Sequence, residues 1–116
     1  MLEIKIIDQK ITLGDISEIA AHQFGDMVKF VVDVEKEIMA IGGDLHADEE
    51  AALLEVGSLQ ANLWGINFYP DNTGAERIEF DSMINIRPSQ NNRSREVEDA
   101  MLREKINQIV NKLVTE

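Results

Sequence analysis

The fold is decided by residues 28–41, which read VKFVVDVEKEIMAI. From residue 28 to residue 34 every second side chain is apolar, which is the spacing of a strand that turns one face to a core. A second apolar run at residues 38–41 follows the polar pair Glu35-Lys36. The stretch therefore predicts a β-hairpin, and Gly42-Gly43 is expected to end its second strand.

A helix is predicted before this hairpin and another at the end of the chain. Thr12 stands three residues before Asp15, which is the spacing of an N-cap, and Gly25 supplies a residue suited to the left-handed end of a helix. Asp99 is a plausible N-cap for the last helix. The apolar stripes comprise Leu13, Ile16, Ile19, Ala20 and Phe24 in the first helix and Leu102, Ile106, Ile109, Val110 and Leu113 in the last. Each helix is therefore amphipathic and is expected to cover a sheet.

Two more strands are predicted at residues 63–69 and 77–87, joined by a turn at residues 70–74. If the turn is centred near Thr73, Gly65 lies opposite Asp81 and Asn67 lies opposite Glu79. The second strand has one almost wholly polar face, and its apolar face comprises Ile78, Phe80, Ile84 and Ile86. We therefore expect one face of the sheet to be covered and the other to be open to solvent.

The order of these elements predicts the fold class. A short first strand is expected within residues 4–7, and residues 48–55 have the composition of a short helix. Leu53-Leu54 could equally begin a strand, so both interpretations of that segment stay open. The sequence predicts a single α+β domain over residues 1–116, with a mainly antiparallel sheet of four to six strands and two helices packed on one face.

Composition excludes several classes of protein. The 116 residues include 22 acidic and 11 basic side chains, which give a net charge of −11, and no cysteine. Binding to nucleic acid is disfavoured because it requires clustered Lys and Arg. Disulfides, zinc–thiolate sites and thiol catalysis are excluded. A cytoplasmic location and no membrane association are expected, because the sequence has neither a signal-peptide pattern nor a long apolar run.

Five segments carry a resemblance to a known family. They read GDMVK at 25–29, GGDLHAD at 42–48, LWGIN at 63–67, FDSMINIRPSQ at 80–90 and NRSR at 92–95. They resemble a family of short uncharacterised prokaryotic proteins known only as a domain of unknown function, and the likeness spans nearly the whole chain. The resemblance implies a small single domain of prokaryotic type, and it carries over no activity, ligand or catalytic residue.

The first candidate site combines the loop at residues 87–95 with the polar sheet face. The loop contains Arg87, Arg93 and Arg95, whose guanidinium groups offer paired donors to a carboxylate or phosphate. Gly65 would let a ligand or another backbone approach the sheet closely. Further polar side chains of this site are Asn85, Asn92, Asp81 and Asn67. The alternative is that the arginines pair with the chain's own carboxylates and that the face is ordinary solvated surface.

The second candidate site is an acidic segment that comprises Asp44, His46, Asp48 and Glu50. These residues alternate along the chain, so an extended backbone would place all four side chains on one side. Carboxylate oxygens with one imidazole suit a divalent cation such as Mg²⁺, Mn²⁺ or Ca²⁺. The alternative is a solvated acidic loop in which Asp48 caps a short helix.

Three function classes follow. The leading hypothesis is a small binding or interaction module that recognises an anionic group, on a small ligand or a protein partner, through the sheet face and the arginine loop. The second is a divalent-metal-dependent hydrolase in which Asp44, Asp48 and Glu50 hold the metal and His46 acts as base. The third is a structural homodimer joined through an exposed strand edge. No nucleophile motif, phosphate-binding loop or dinucleotide fingerprint occurs in the sequence, so no catalytic residue is assigned.

Overall fold

The computed structural model describes residues 3–116. Met1 and Leu2, which belong to the stretch considered for a signal peptide, lie outside the described residues. The strands are β1 Lys5–Ile7, β2 Ile11–Thr12, β3 Val28–Asp33, β4 Ile38–Ile41, β5 Leu63–Phe68, β6 Ile78–Glu79 and β7 Val114–Thr115. The α-helices are α1 Leu13–Ala21, α2 His46–Glu55 and α3 Ala100–Leu113. Short 3₁₀ helices lie at Gln60–Asn62, Gly74–Arg77, Met83–Asn85 and Pro88–Gln90.

The predicted hairpin forms the centre of a five-stranded sheet in the order β1-β4-β3-β5-β6. Every neighbouring pair in this sheet is antiparallel. Asp33 shapes the hairpin turn, because its Oδ1 accepts hydrogen bonds from the amides of Glu35 and Lys36, both at 2.9 Å. The prediction of an α+β fold with an antiparallel sheet of this size is confirmed.

Helices α1 and α3 pack on the same face of the sheet, as predicted. Thr12 Oγ1 accepts from the amide of Asp15 at 3.1 Å, and Asp99 Oδ1 accepts from the amide of Met101 at 2.9 Å. Apolar side chains of both helices join Phe30 and the other inward-facing strand residues in the main core. Phe24 differs from the prediction, since α1 ends at Ala21 and the Phe24 side chain is 43% exposed.

The opposite face of the sheet is covered too, which corrects the prediction of two helices on one face only. Residues 46–55 form α2, so the helical interpretation of this segment is the right one. Leu53 of α2 packs with Val31, Ala40 and Leu63 in a second, smaller core. The physical reason is that the central strands carry apolar side chains on both faces, and these must be shielded from water on each side.

The strand predicted over residues 77–87 is much shorter in the structure. β6 ends at Glu79, and the chain enters the 3₁₀ helix Met83–Asn85, where Ser82 Oγ accepts from the amide of Ile84. Such local bonds from a side chain to the backbone compete with a strand ladder. As a result Ile78 and Phe80 pack against the main core, whereas Ile84 packs against the smaller core on the other face.

Candidate functional site

Two side chains of the first predicted site, Asn85 of the polar sheet face and Arg87 of the arginine loop, complete the edge of the sheet. Asn85 is fully buried beside Gly65, where its Oδ1 accepts from the Gly65 amide at 2.8 Å and its Nδ2 donates to the Gly65 carbonyl at 2.9 Å. Arg87 donates to the carbonyls of Gln60 and Leu63. Its guanidinium carbon lies 3.9 Å from the centre of the Trp64 ring. Asn85 and Arg87 therefore satisfy backbone groups of β5 that a neighbouring strand would otherwise pair with.

Asn92 organises the rest of this loop. Its buried Nδ2 donates to the carbonyls of Asn85 and Glu96, both at 2.7 Å, and its Oδ1 accepts from the amide of Glu98 at 2.9 Å. A β-bridge joins Arg87 to Asn92, so the predicted loop is held together by backbone pairing as well as by side chains. The side-chain polar groups of Asn85 and Asn92 are thus engaged within the chain, whereas Arg87 keeps a buried Nε without a partner among the described residues. Internal bonds hold this part of the loop, and those of Arg87 go to backbone carbonyls rather than to the carboxylates that the alternative expected.

A cavity of about 400 Å³ opens beside the edge of β5 that Asn85 and Arg87 complete, on the α2 side of the sheet. We call it the sheet-face cavity. Its polar lining comprises Lys29, His46, Asn67, Glu79, Asp81, Ser82 and Arg95, and its apolar lining comprises Met27, Leu45, Ala47, Met83 and Ile84. Cavities of roughly this size hold small molecules in many proteins. Of the predicted anion-binding residues, the structure brings together Asn67, Asp81 and Arg95 here, whereas Arg93 is exposed and is not part of the lining.

Asn67 lies on the floor of the sheet-face cavity and is only 6% exposed. It pairs with Glu79 in the predicted register. Its Nδ2 donates to Glu79 Oε1 at 2.8 Å and to the Asp81 carbonyl at 3.3 Å, and this fixes the orientation of the amide. Asn67 Oδ1 is buried and accepts no hydrogen bond from the described residues. A buried acceptor without a partner is uncommon in folded proteins and calls for a specific explanation.

Two cations line the same cavity. Arg95 Nε donates to Asp81 Oδ1 at 2.6 Å, and the Arg95 side chain is 53% exposed. Lys29 lies opposite Asn67 in the pairing of β3 with β5, and its Nζ lies 5.4 Å from the centre of the Phe24 ring. Within residues 3–116 the ion pairs are made by Arg95, Lys105 and Lys112, and Lys29 takes part in none of them.

His46 faces the cavity from the first residue of α2. Its Nε2 donates to the carbonyl of Ile66 at 2.7 Å, and burial lowers the pKa of the imidazole. Because a carbonyl only accepts, the proton lies on Nε2 and the neutral ring presents Nδ1 as an acceptor. Gly65 makes this packing possible, since a Cβ at residue 65 would stand 2.6 Å from Ser82 Cβ and 3.2 Å from His46 Cδ2. The close approach predicted at Gly65 is thus made by side chains of the chain itself.

The predicted metal-binding segment does not adopt the extended backbone that its spacing required. Helix α2 begins at His46, and residues two apart on a helix do not share a face. Asp44 and Asp48 are exposed, whereas His46 is turned into the sheet-face cavity. Within residues 3–116, no group of three or more His, Cys, Asp or Glu side chains is arranged to hold a metal ion.

Sequence reasoning did not identify Lys29 or Ser82 as lining residues, and it placed Glu79 opposite Asn67 without naming it as a binding residue. A signal for Lys29 and Glu79 was present, because both lie on polar faces of predicted strands and both are neighbours of Asn67 in the sheet. Ser82 carried no such signal, since it reaches the cavity only after the predicted strand has turned into a 3₁₀ helix.

Glu49 is a second group that the sequence did not single out. Its side chain is fully buried between α2 and the end of β4, and its Oε2 accepts from the amide of Gly43 at 2.9 Å. Oε1 has no partner among the described residues. Burial raises the pKa of Glu49 well above its usual range, because the charged form of a carboxyl group is disfavoured away from water.

The fold and the cavity define a small α+β protein with a partly enclosed polar site at the edge of its sheet. The chain matches the model of the family described as "Protein of unknown function (DUF5674)" over residues 5–113, and it belongs to that family. The comparison with curated proteins and the comparison with solved structures gave no match. The family match confirms the predicted resemblance to a family of unknown function. No helix formed by residues 3–116 is long and apolar enough to cross a membrane.

Proposed function

We propose that this protein is a small binding module whose sheet-face cavity takes a small ligand through an anionic group. The observation that carries the proposal is the convergence of Lys29 and Arg95 on a cavity floored by Asn67, a buried amide with an unsatisfied oxygen. Lys29 and Arg95 would bind the anionic group, because a charge-assisted hydrogen bond is stronger than a neutral one. The site differs from the arginine loop predicted from sequence, since only Arg95 of that loop lines the cavity.

The charge distribution supports a local site over a broad anionic surface. The chain as a whole carries a net charge of −11, which repels anions at long range. At physiological salt this repulsion is screened beyond about 8 Å, whereas contacts inside the cavity are screened much less. A small ligand that enters the cavity is therefore favoured over an extended anionic partner.

Calorimetric titration with 4-methylpentanoate, a small apolar carboxylate, tests this proposal. We expect measurable binding to the intact protein and roughly tenfold weaker binding to Lys29→Gln and to Arg95→Gln, because each variant removes one charge-assisted contact. Arg93→Gln is the matched control, since Arg93 lies on the same loop outside the lining, and it should bind as the parent does. An affinity that is equal in all three variants would contradict the proposal.

A location and an origin are proposed together with this function, and two alternative functions have tests of their own. A cytoplasmic location is supported by the absence of cysteine from the sequence, and prokaryotic origin by the family resemblance.

The metal-dependent hydrolase is tested by adding Mn²⁺ or Mg²⁺, which should raise the melting temperature if a site forms. The homodimer is tested by whether the molecular mass in solution rises with concentration.

A further inference from the structure

The sheet-face cavity offers more unsatisfied acceptors than an anionic ligand alone would use. Asn67 Oδ1 is buried without a partner among the described residues. His46 also lines the cavity, and with Nε2 bonded to the Ile66 carbonyl its Nδ1 is a second acceptor. Glu79 and Asp81 each have one oxygen engaged by Asn67 or Arg95, which leaves the other oxygen of each carboxylate to accept. A ligand with only a negative charge would leave the buried Asn67 Oδ1 unpaired and would lie beside two carboxylates of like charge.

The acceptors and the cations lie within one cavity. Lys29 and Asn67 are directly opposite each other on β3 and β5, and Asn67 and Glu79 are directly opposite on β5 and β6. Three neighbouring strands therefore present a cation, an unsatisfied amide oxygen and a carboxylate in sequence across the sheet. Met27, Leu45 and Met83 add an apolar wall, and Leu45 and Met83 are 56% and 64% exposed.

We propose that the ligand of this cavity is a small zwitterion of the α-amino-acid type, with a carboxylate, a protonated amine and an apolar side chain. The carboxylate binds Lys29 and Arg95, the ammonium group donates to Asn67 Oδ1 and Glu79, and the apolar part packs on Leu45 and Met83. This inference rests on the proposed function, because it assigns the rest of the ligand whose anionic group the proposed function places at Lys29 and Arg95. Neutral His46 adds an uncharged acceptor that does not repel the ammonium group.

Three probes that share one branched apolar chain separate the contribution of the carboxylate from that of the amine. L-leucine carries both charged groups, 4-methylpentanoate lacks the amine, and 3-methylbutylamine lacks the carboxylate. We expect the dissociation constant of L-leucine to be roughly tenfold or more below those of the other two, because each removed group costs a charge-assisted hydrogen bond. Titration of the full chain followed by NMR measures all three constants, even where binding is weak.

Two variants, each of which replaces a charged side chain with a neutral one, test which residue binds each charged group of the ligand. Lys29→Gln should weaken L-leucine and 4-methylpentanoate and leave 3-methylbutylamine unchanged. Glu79→Gln should weaken L-leucine and 3-methylbutylamine and leave 4-methylpentanoate unchanged, and glutamine retains an oxygen that can accept from Asn67 Nδ2. The matched controls are Lys10→Gln and Glu76→Gln, which change exposed residues outside the cavity lining.

The outcomes distinguish this inference from the proposed function. If 4-methylpentanoate binds as tightly as L-leucine, the zwitterion inference is overturned and the anionic-group proposal stands. If Glu79→Gln weakens no probe, the assignment of the ammonium group is overturned in the same way. If neither L-leucine nor 4-methylpentanoate binds, the proposed function fails and the inference fails with it.

Discussion

Glu49 links α2 to the end of β4 as a buried acid with one unsatisfied oxygen. Its folded pKa is raised by burial, so the protein holds this proton in the folded state at pH values where the unfolded chain has released it. The stability that depends on this proton is fully present below the ordinary pKa of glutamate and is lost as the pH rises through the folded pKa. Gly43 packs closely here, since a Cβ at residue 43 would stand 2.9 Å from Glu49 Cγ.

We therefore predict that Glu49→Gln becomes increasingly more stable than the parent as the pH rises. Glutamine has nearly the same shape, accepts from the Gly43 amide and does not ionise. Urea unfolding at about pH 5 and about pH 8 measures the effect, since linkage makes the two unfolding free energies diverge with pH. Glu55→Gln, an exposed change at the end of α2, is the control and should show no such divergence. A parent whose stability relative to Glu49→Gln is unchanged by pH would contradict this assignment.

Single residues also show which functional details the sequence could predict. Asn67, Asp81 and Arg95 were identified from their polar character, and the structure places them around one cavity. Arg87 has the same polar character, yet its guanidinium group is held by two backbone carbonyls and the Trp64 ring. Residue type alone does not reveal whether an arginine is bound within the chain or available to a ligand, because that depends on contacts distant in sequence.

The edge of β5 beyond its pairing with β6 is completed by the side chain of Asn85. In place of a longer β6, the Asn85 side chain satisfies both the amide and the carbonyl of Gly65. Asn85→Ala would leave both groups buried without partners, so we expect it to destabilise the fold by about 2–4 kcal/mol. Asn111→Ala, at an exposed position of α3, should change stability by less than about 0.5 kcal/mol. Chemical unfolding measures both values, and equal losses would show that Asn85 does not hold the edge.

The same region explains where prediction of the elements fails. Capping residues such as Thr12 and Asp99 act within three residues of their targets, so α1 and α3 could be located from the sequence. β6 could not, because it is cut short by the local bond from Ser82 and by the contact of Asn85 with Gly65, which is 20 residues away. Helix α2 was not predicted as a cover for the second sheet face, because the apolar pattern of residues 48–55 also fitted a strand.

Across the whole molecule, Glu37 ties the central hairpin to α3. Its carboxylate accepts from Lys112 Nζ at 2.5 Å and from Lys105 Nζ at 2.9 Å, and these bonds lower the pKa of Glu37 to about 2. The stabilisation is present above the ordinary pKa of glutamate and is lost as the pH falls through the folded value. We predict that Glu37→Gln lowers the melting temperature near pH 7 and that this difference shrinks as the pH falls below about 4.5. Added salt should shrink it too, and a difference that persists at low pH would contradict the assignment.

We propose that the sheet-face cavity is the ligand site of this protein. NMR titration of the ¹⁵N-labelled chain with 4-methylpentanoate tests it most directly, because each backbone amide reports on its own surroundings. We expect the largest shifts on Lys29, Asn67 and Ser82 and on the side-chain amide of Asn67, and we expect the amides around Arg93 to stay in place. Shifts that cluster around Arg93 or spread evenly over the surface would contradict it.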